Sequence, residues 1–337
     1  MKIKLEKPLL TIGLLVYNKG QYIESLLNEI IRQIEEGHLE KEIELVVSDN
    51  ASTDGTERIM RKYLKWDLPF LRYNRNRTNL GFSGNILKEI ELARGDYLWF
   101  MGDDEIFKDG IFNILQIIKK YNHKERIFLM SIANIYPLKT KISNLKRSYS
   151  FILRNGANMS TTIIPTHLAK NLRVNLIKFN EINQIWTHNQ FSLLLAIQNN
   201  LNYVLINNVI FKYMTRLTNK VKPNALVHVT NKMDYYDLIY NVDKKTGSRL
   251  FNKLPKFYDW VLYVPFLDAF NPNNTKVIRK HLRVILKKYR VPHCYITKVL
   301  LLVPHSIRKY FANFCLLSLG MITSNKKYSH FYNILNK

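Results

Sequence analysis

Apolar residues in the first hundred positions fall into two alternating kinds of block. "LLTIGLLV" (9–16), "IELVVSD" (43–49), "LPFLRYN" (68–74) and "YLWFM" (97–101) are short, nearly continuous apolar runs, which predict buried strands. Between them, residues 22–36 set Ile23, Leu26, Leu27, Ile30, Ile31 and Ile34 on one side at helical spacing. "STDGTERIMRKYL" (52–64) opens with helix-capping residues, Thr53 or Asp54 being the cap. "SGNILKEIELAR" (83–94) is helical in pattern and stops at Gly95. The order is β-α-β-α-β-α-β. Strands separated by helices run parallel, and a near-continuous apolar strand is covered on both faces. The predicted class is therefore α/β, a mostly parallel sheet flanked by helices.

In such sheets ligands bind outside the carboxyl ends of the strands. Tyr17 and Asn18 follow the first strand, and Asp49, Asn50 and Ser52 end the second. Asn74, Asn76 and Asn79 come after the third, and Asp103, Asp104 and Glu105 after the fourth. Polar and acidic residues thus converge on one predicted rim.

Downstream, residues 126–136 and 159–165 read as strands, 137–150 as a basic loop and 187–200 as a helix. Residues 203–214 suggest two strands meeting at a turn, Asn207-Asn208. Past about residue 216 the acids thin out. Residues 275–290 form an amphipathic pattern with Lys276, Lys280, Arg283, Lys287 and Arg290 on one face, and Ile278, Leu282, Ile285 and Tyr289 on another. Residues 295–322 are apolar but broken by Lys298, Pro304, Arg308 and Lys309. This divides the chain into an α/β domain, 1–215, with halves at about 1–105 and 106–215, and a helical basic region, 216–337. The basic segments suit a membrane interface, or they pack as ordinary core helices. No run of eighteen apolar residues predicts a spanning helix, and the amino terminus does not read as a signal peptide.

Of the 337 residues, 47% are hydrophobic, enough for a substantial core. Lys and Arg number 51 against 26 Asp and Glu, a formal charge of +25. That points to an anionic partner, although an AT-rich genome would also raise the Lys count. Cys294 and Cys315 have no metal-type spacing and fit a reducing compartment. Against this basic background Asp103, Asp104 and Glu105 stand together. Adjacent carboxylates repel, and a divalent cation such as Mg²⁺ or Mn²⁺ removes that cost. Alternatively the three acids cap a helix over about 106–120.

"LLVYNKGQYIESLL", "VVSDNASTDGT", "NRTNLGFSGNI" and "ARGDYLWFMGDDE" occur in the order and spacing of glycosyltransferase family 2. The chain resembles that family over about residues 9–120, and in outline to 214. The resemblance implies the GT-A nucleotide-sugar fold and an inverting transfer, among enzymes similar to bacterial surface-polysaccharide and O-antigen sugar transferases. By it, Tyr17 and Asn18 would line the base pocket and Asp49 would bind base or ribose. Asn79 and Asn85 would border the nucleotide-sugar, as would Asp103. Asp104 matches the second acid of the family's Asp-x-Asp metal motif, with Asp103 in support, whereas Gly102 replaces the first. The implied cofactor is Mn²⁺ or Mg²⁺. Where the family has a Glu-Asp pair carrying the catalytic base, this chain has His188-Asn189. His188 is one candidate base and Glu181 another. The implied donor is a UDP- or dTDP-sugar and the acceptor a glycan or lipid-linked glycan. The implied location is the inner face of a bacterial plasma membrane, with an anionic membrane surface as a partner. Two other readings are a nucleotidyltransferase acting on sugar phosphates and a basic nucleic-acid-binding protein. The first lacks a glycine-rich phosphate loop. The second lacks any finger, zipper or RNA-recognition signature, and acids on its ligand rim would repel a polyanion.

Overall fold

The computed structural model describes residues 7–102, 105–107, 110–130, 140–145, 148, 159–176, 187–206 and 211–213, with residues 244, 245, 304 and 307. The chain divides into two compact units, Met1–Val221 and Lys222–Lys337. Every element below belongs to the first. The amphipathic pattern at 275–290, the apolar segment 295–322 apart from Pro304 and Ile307, and the turn at Asn207-Asn208 lie outside the described residues.

Four strands, β1 (Leu10–Val16), β2 (Ile43–Asp49), β3 (Leu71–Arg75) and β4 (Tyr97–Gly102), alternate with helices α1 (Gly20–Glu36), α2 (Thr56–Leu64) and α3 (Gly81–Leu92). All their pairings are parallel, as the βαβ pattern predicts. Then come β5 (Glu105–Phe107), α4 (Ile111–Tyr121), β6 (Arg126–Met130), β7 (Lys141–Ser143), a 3₁₀ turn (Met159–Thr161) and β8 (Thr162–Pro165). Helices α5 (Thr166–Leu176) and α6 (Thr187–Gln198) and strands β9 (Asn202–Ile206) and β10 (Phe211–Tyr213) complete the described elements. The main sheet has the order β3-β2-β1-β4-β8-β6-β9-β7, and β5 pairs with β10 in a second, two-stranded sheet. Strand β8 runs antiparallel between β4 and β6 and so joins the two halves of the unit through one sheet.

The two faces of the parallel strands differ. Leu10, Ile12, Leu14 and Val16 of β1 join Ile43, Leu45 and Val47 of β2 and Trp99 and Met101 of β4 in a core closed by α1, α2 and α4. All six apolar positions of the α1 stripe are buried there. Each such side chain contributes roughly 1.5–3 kcal/mol relative to exposure. The alternate residues meet α3. Gly13 is a glycine because Glu89 of α3 lies on it: a Cβ there would sit 2.6 Å from Glu89 Cγ.

Several expectations change. The helix expected from about 106 begins at Ile111, and residues 105–107 form a strand, so Glu105 is not in its first turn. The N-cap of α4 is Gly110, which has no side chain to supply a cap. Gln33 of α1 supplies it, its buried Oε1 accepting the Gly110 N–H at 3.0 Å and the Ile111 N–H at 3.1 Å. Gln33→Leu strips both donors of their partner and should cost about 1–3 kcal/mol, read as a lower urea midpoint at unchanged slope. Strands β9 and β10 do not form a hairpin. β9 pairs with β6 and β7, whereas β10 pairs with β5. Part of the basic loop expected at 137–150 is strand β7, which takes an edge place beside β9. The Met159–Thr161 part of the strand expected at 159–165 is a 3₁₀ turn. Among the described residues no helix is long and apolar enough to cross a membrane.

Candidate functional site

Parallel register brings the carboxyl ends of β1 to β4 level. Val16 lies opposite Asp49, Asp49 opposite Arg75, and Leu15 opposite Gly102. The residues that follow these ends form the rim.

Asp49 is fully buried. Its Oδ1 accepts the Ser52 N–H at 2.8 Å and its Oδ2 the Tyr73 hydroxyl at 2.7 Å. Arg75 Nε stands 3.8 Å from Oδ2 and 3.3 Å from Glu57, while its Nη2 donates to the Ser52 carbonyl at 3.0 Å. Burial first, then the hydrogen bond to Asp49 and the Asp49 charge, push the Tyr73 phenol above its usual range. Tyr73 therefore stays a donor to Asp49, each of whose carboxylate oxygens keeps a second lone pair.

Asn18 holds the β1–α1 turn at φ 53, a left-handed conformation that Asn tolerates. Its Oδ1 accepts the Thr53 N–H at 2.8 Å, and its own N–H donates to Ser52 Oγ at 3.0 Å. The two turns are thereby tied together. Asp54, rather than Thr53, caps α2: its Oδ1 takes the Thr56 N–H at 2.9 Å, and its Oδ2 takes the Gly20 N–H of α1 at 2.9 Å. Burial raises the Asp54 pKa, but the hydrogen bonds from Thr56 and Gly20 outweigh it and hold the carboxyl below its ordinary value. Tyr17 is half-exposed at the mouth.

A chain of amides crosses the rim. Asn50 Nδ2 donates to Asn79 Oδ1 at 2.8 Å and to the Gly81 carbonyl at 3.1 Å. Asn50 Oδ1 accepts the Leu80 N–H at 2.9 Å and Asn76 Nδ2 at 3.2 Å. Asn76 Nδ2 also donates to Asn85 Oδ1 at 3.0 Å, and Asn85 bonds the carbonyl and hydroxyl of Ser48. Asn85 is buried and engaged on every side with this network, whereas Asn79 is exposed. Asn85 thus shapes the rim from behind, through Ser48 and Asn76.

At the β4 end, the Gly102 N–H donates to Ser160 Oγ at 3.1 Å, and Trp99 Nε1–H donates to the Ser160 carbonyl at 2.7 Å. Beyond it, Glu105 of β5 pairs with Tyr213 of β10. Asp103, Asp104 and Glu181 lie outside the described residues, as does the side chain of His188, whose backbone is in the first turn of α6. Among the described residues no three His, Cys, Asp or Glu side chains gather as a metal site. The carboxylates that follow Gly102 in sequence are hard oxygen donors, the chemistry that Mg²⁺ and Mn²⁺ take.

Sequence reasoning did not single out Tyr73, Arg75 or Ser160. Asn50 was visible on the rim, but its part as the centre of the amide chain was not. Ser160 is 58 residues from Gly102, and no local pattern signals that contact.

The model of a protein family described as "Glycosyl transferase family 2" matches residues 11–180. Over 97 residues the chain is 44% identical to the abequosyltransferase RfbV of Salmonella typhimurium, a match covering 28% of each. Over 168 residues it is 27% identical to the poly(ribitol-phosphate) beta-N-acetylglucosaminyltransferase TarS of Staphylococcus aureus, covering 49% of this chain and 28% of TarS. These matches span little more than a quarter of the length of either relative. The crystal structure of S. aureus TarS 1–349 in complex with UDP superposes with a TM-score of 0.53 at 17% identity, over 86% of this chain and 89% of that one. That likeness is one of fold.

Proposed function

Because the chain belongs to glycosyl transferase family 2, and so is a transferase with the GT-A fold, we propose that it moves a sugar from a nucleoside diphosphate to a bacterial surface glycan or its lipid-linked precursor. The rim supports this reading: four parallel strand ends bring Tyr17, Asn18, Asp49 and Gly102, the residue before the acids in sequence, to one edge. The activities of RfbV and TarS, both sugar transferases, support the substrate class. The nucleotidyltransferase and nucleic-acid readings give way to the family.

On this reading Tyr17 and Asn18 border the base of a UDP- or dTDP-sugar. Asp49, held as an acceptor by Tyr73, Ser52 and Arg75, takes an N–H of the base or a ribose hydroxyl. Asn79, and Asn85 through the amide chain, shape the edge beside it. Asp104, with Asp103, would hold Mn²⁺ or Mg²⁺, which when bound supplies counter-charge to the diphosphate. His188 or Glu181 would accept the proton of the attacking hydroxyl, whose single displacement inverts the anomeric centre. The basic region 216–337 would hold the enzyme on the anionic inner face of the membrane.

The test is a screen of UDP-, dTDP-, GDP- and CMP-sugars with the full chain and Mn²⁺, reading binding and release of the free nucleotide. Binding of one or a few donors, with slow hydrolysis, is expected. A chain that binds none of them would sink the proposal.

A further inference from the structure

Leu80 is 47% exposed at the rim and yet closely held. An exposed leucine is by itself unremarkable in a folded protein; the means of holding this one are specific. Its N–H donates to Asn50 Oδ1 at 2.9 Å. On either side, Asn79 Oδ1 and the Gly81 carbonyl both accept from Asn50 Nδ2, and the Gly81 N–H donates to Asn79 Oδ1 at 2.8 Å. Gly81 adopts φ 71, which glycine takes without strain. A Cβ on Gly84 would lie 2.6 Å from Leu80 Cβ, so the bare glycine is what lets Leu80 lie there.

The place of this leucine gives it a use. The Asn50 backbone N–H donates to the Val16 carbonyl at 2.9 Å, so Tyr17, which follows Val16, and Leu80 both come close to residue 50. Asp49 stands next to it as a fixed acceptor. Apolar side chains beside a single acceptor suit a flat ligand with apolar faces and a polar edge. A nucleobase has that form, whereas a sugar carries hydroxyls on most of its positions. A residue whose backbone is already fixed before binding loses little further freedom when the ligand arrives.

We propose that Leu80 is a specificity-determining residue of the donor site, the apolar wall against which the nucleobase packs. This rests on the rim being a nucleotide site. The experiment titrates UDP, dTDP and GDP, and ribose 5-phosphate as a base-free probe, into wild type, Leu80→Ala and Leu80→Met. The tightest pyrimidine diphosphate should weaken by about tenfold in Leu80→Ala, with its preference over GDP narrowed. Leu80→Met should stay near wild type, and ribose 5-phosphate should bind all three alike. Unchanged nucleotide affinity in Leu80→Ala would overturn the assignment. So would an equal loss for ribose 5-phosphate, which would mark a merely structural role. A wild type that binds no nucleoside diphosphate of any base would instead overturn the reading of the rim, and the wall with it.

Discussion

Alanine at Asp104 is expected to lower sugar transfer by about 10²- to 10³-fold, the usual effect of removing one group that stabilises charge on a leaving oxygen. The folded state should hardly respond. The backbone is anchored on both sides of the acidic pair, at Gly102 by the Ser160 hydroxyl and at Glu105 by its pairing with Tyr213. Removing one of two neighbouring carboxylates also relieves their repulsion. The thermal midpoint should therefore stay within about 2 °C of wild type. Turnover measured across a Mn²⁺ titration checks this, and Asp103→Ala should fall less far. Undiminished transfer in Asp104→Ala would remove Asp104 from the site, and a larger loss in Asp103→Ala would exchange the two roles.

A second large effect concerns Glu89, which no proposed step uses. It is fully buried, and both its oxygens lack a hydrogen-bond partner among the described residues. Glu44, close by, is differently placed. It accepts the Thr11 hydroxyl at 2.8 Å and the Arg94 N–H at 2.9 Å, and it pairs with Arg72. With the local cation committed to Glu44, Glu89 is the carboxyl that stays protonated. Desolvation first, then the Glu44 charge, raise its pKa well above the ordinary 4.5, against a smaller opposing pull from Arg72. The sign follows from linkage. Above pH 4.5 the unfolded chain has lost this proton and the folded chain keeps it, so its contribution is fully present below that pH and is lost as pH rises towards the folded pKa. The loss is about 1.4 kcal/mol per pH unit within that window. Glu89→Gln, nearly the same shape but unable to ionise, should flatten the slope and be more stable than wild type at pH 8. Urea unfolding of both proteins at pH 5, 6.5 and 8 reads this directly. Parallel pH profiles would show that Glu89 is already ionised in the fold.

Strands β1 to β4 and helices α1 to α3 are legible in the sequence because each satisfies a local rule. β1, β2 and β4 are buried on both faces and so read as nearly unbroken apolar runs, the edge strand β3 buries only Leu71 fully, and α1 keeps its stripe from Ile23 to Ile34, about three turns. The same rules miss β5. Its three residues, Glu105–Phe107, carry no period, and their partner Phe211–Tyr213 lies about a hundred positions on. The antiparallel insertion of β8 between β4 and β6 is likewise a fact of tertiary pairing. At the site, the strand-end rule brings Tyr17, Asn18 and Asp49 to light. It does not separate asparagines that face a ligand from those that brace the rim, since Asn is a common turn residue in either case. Asn79 and Asn85 have the same chemistry and both follow β3, but one is exposed and the other buried against Ser48. Tyr73 and Arg75 sit on a strand whose pattern says only that it is a strand, and their bond to Asp49 depends on the β2–β3 register.

The cap that Gln33 lends to α4 has a consequence for synthesis. A helix whose first amides have no local partner is poorly started when it forms alone. Here the missing acceptor lies 77 residues earlier in the chain. Since domains assemble from the amino terminus as they emerge from the ribosome, α1 is already available when Ile111–Tyr121 appears. The order of translation matches the order in which the two helices need each other. A circular permutant that delivers α4 before α1 would reverse it, leaving the late helix to wait for its first hydrogen bonds.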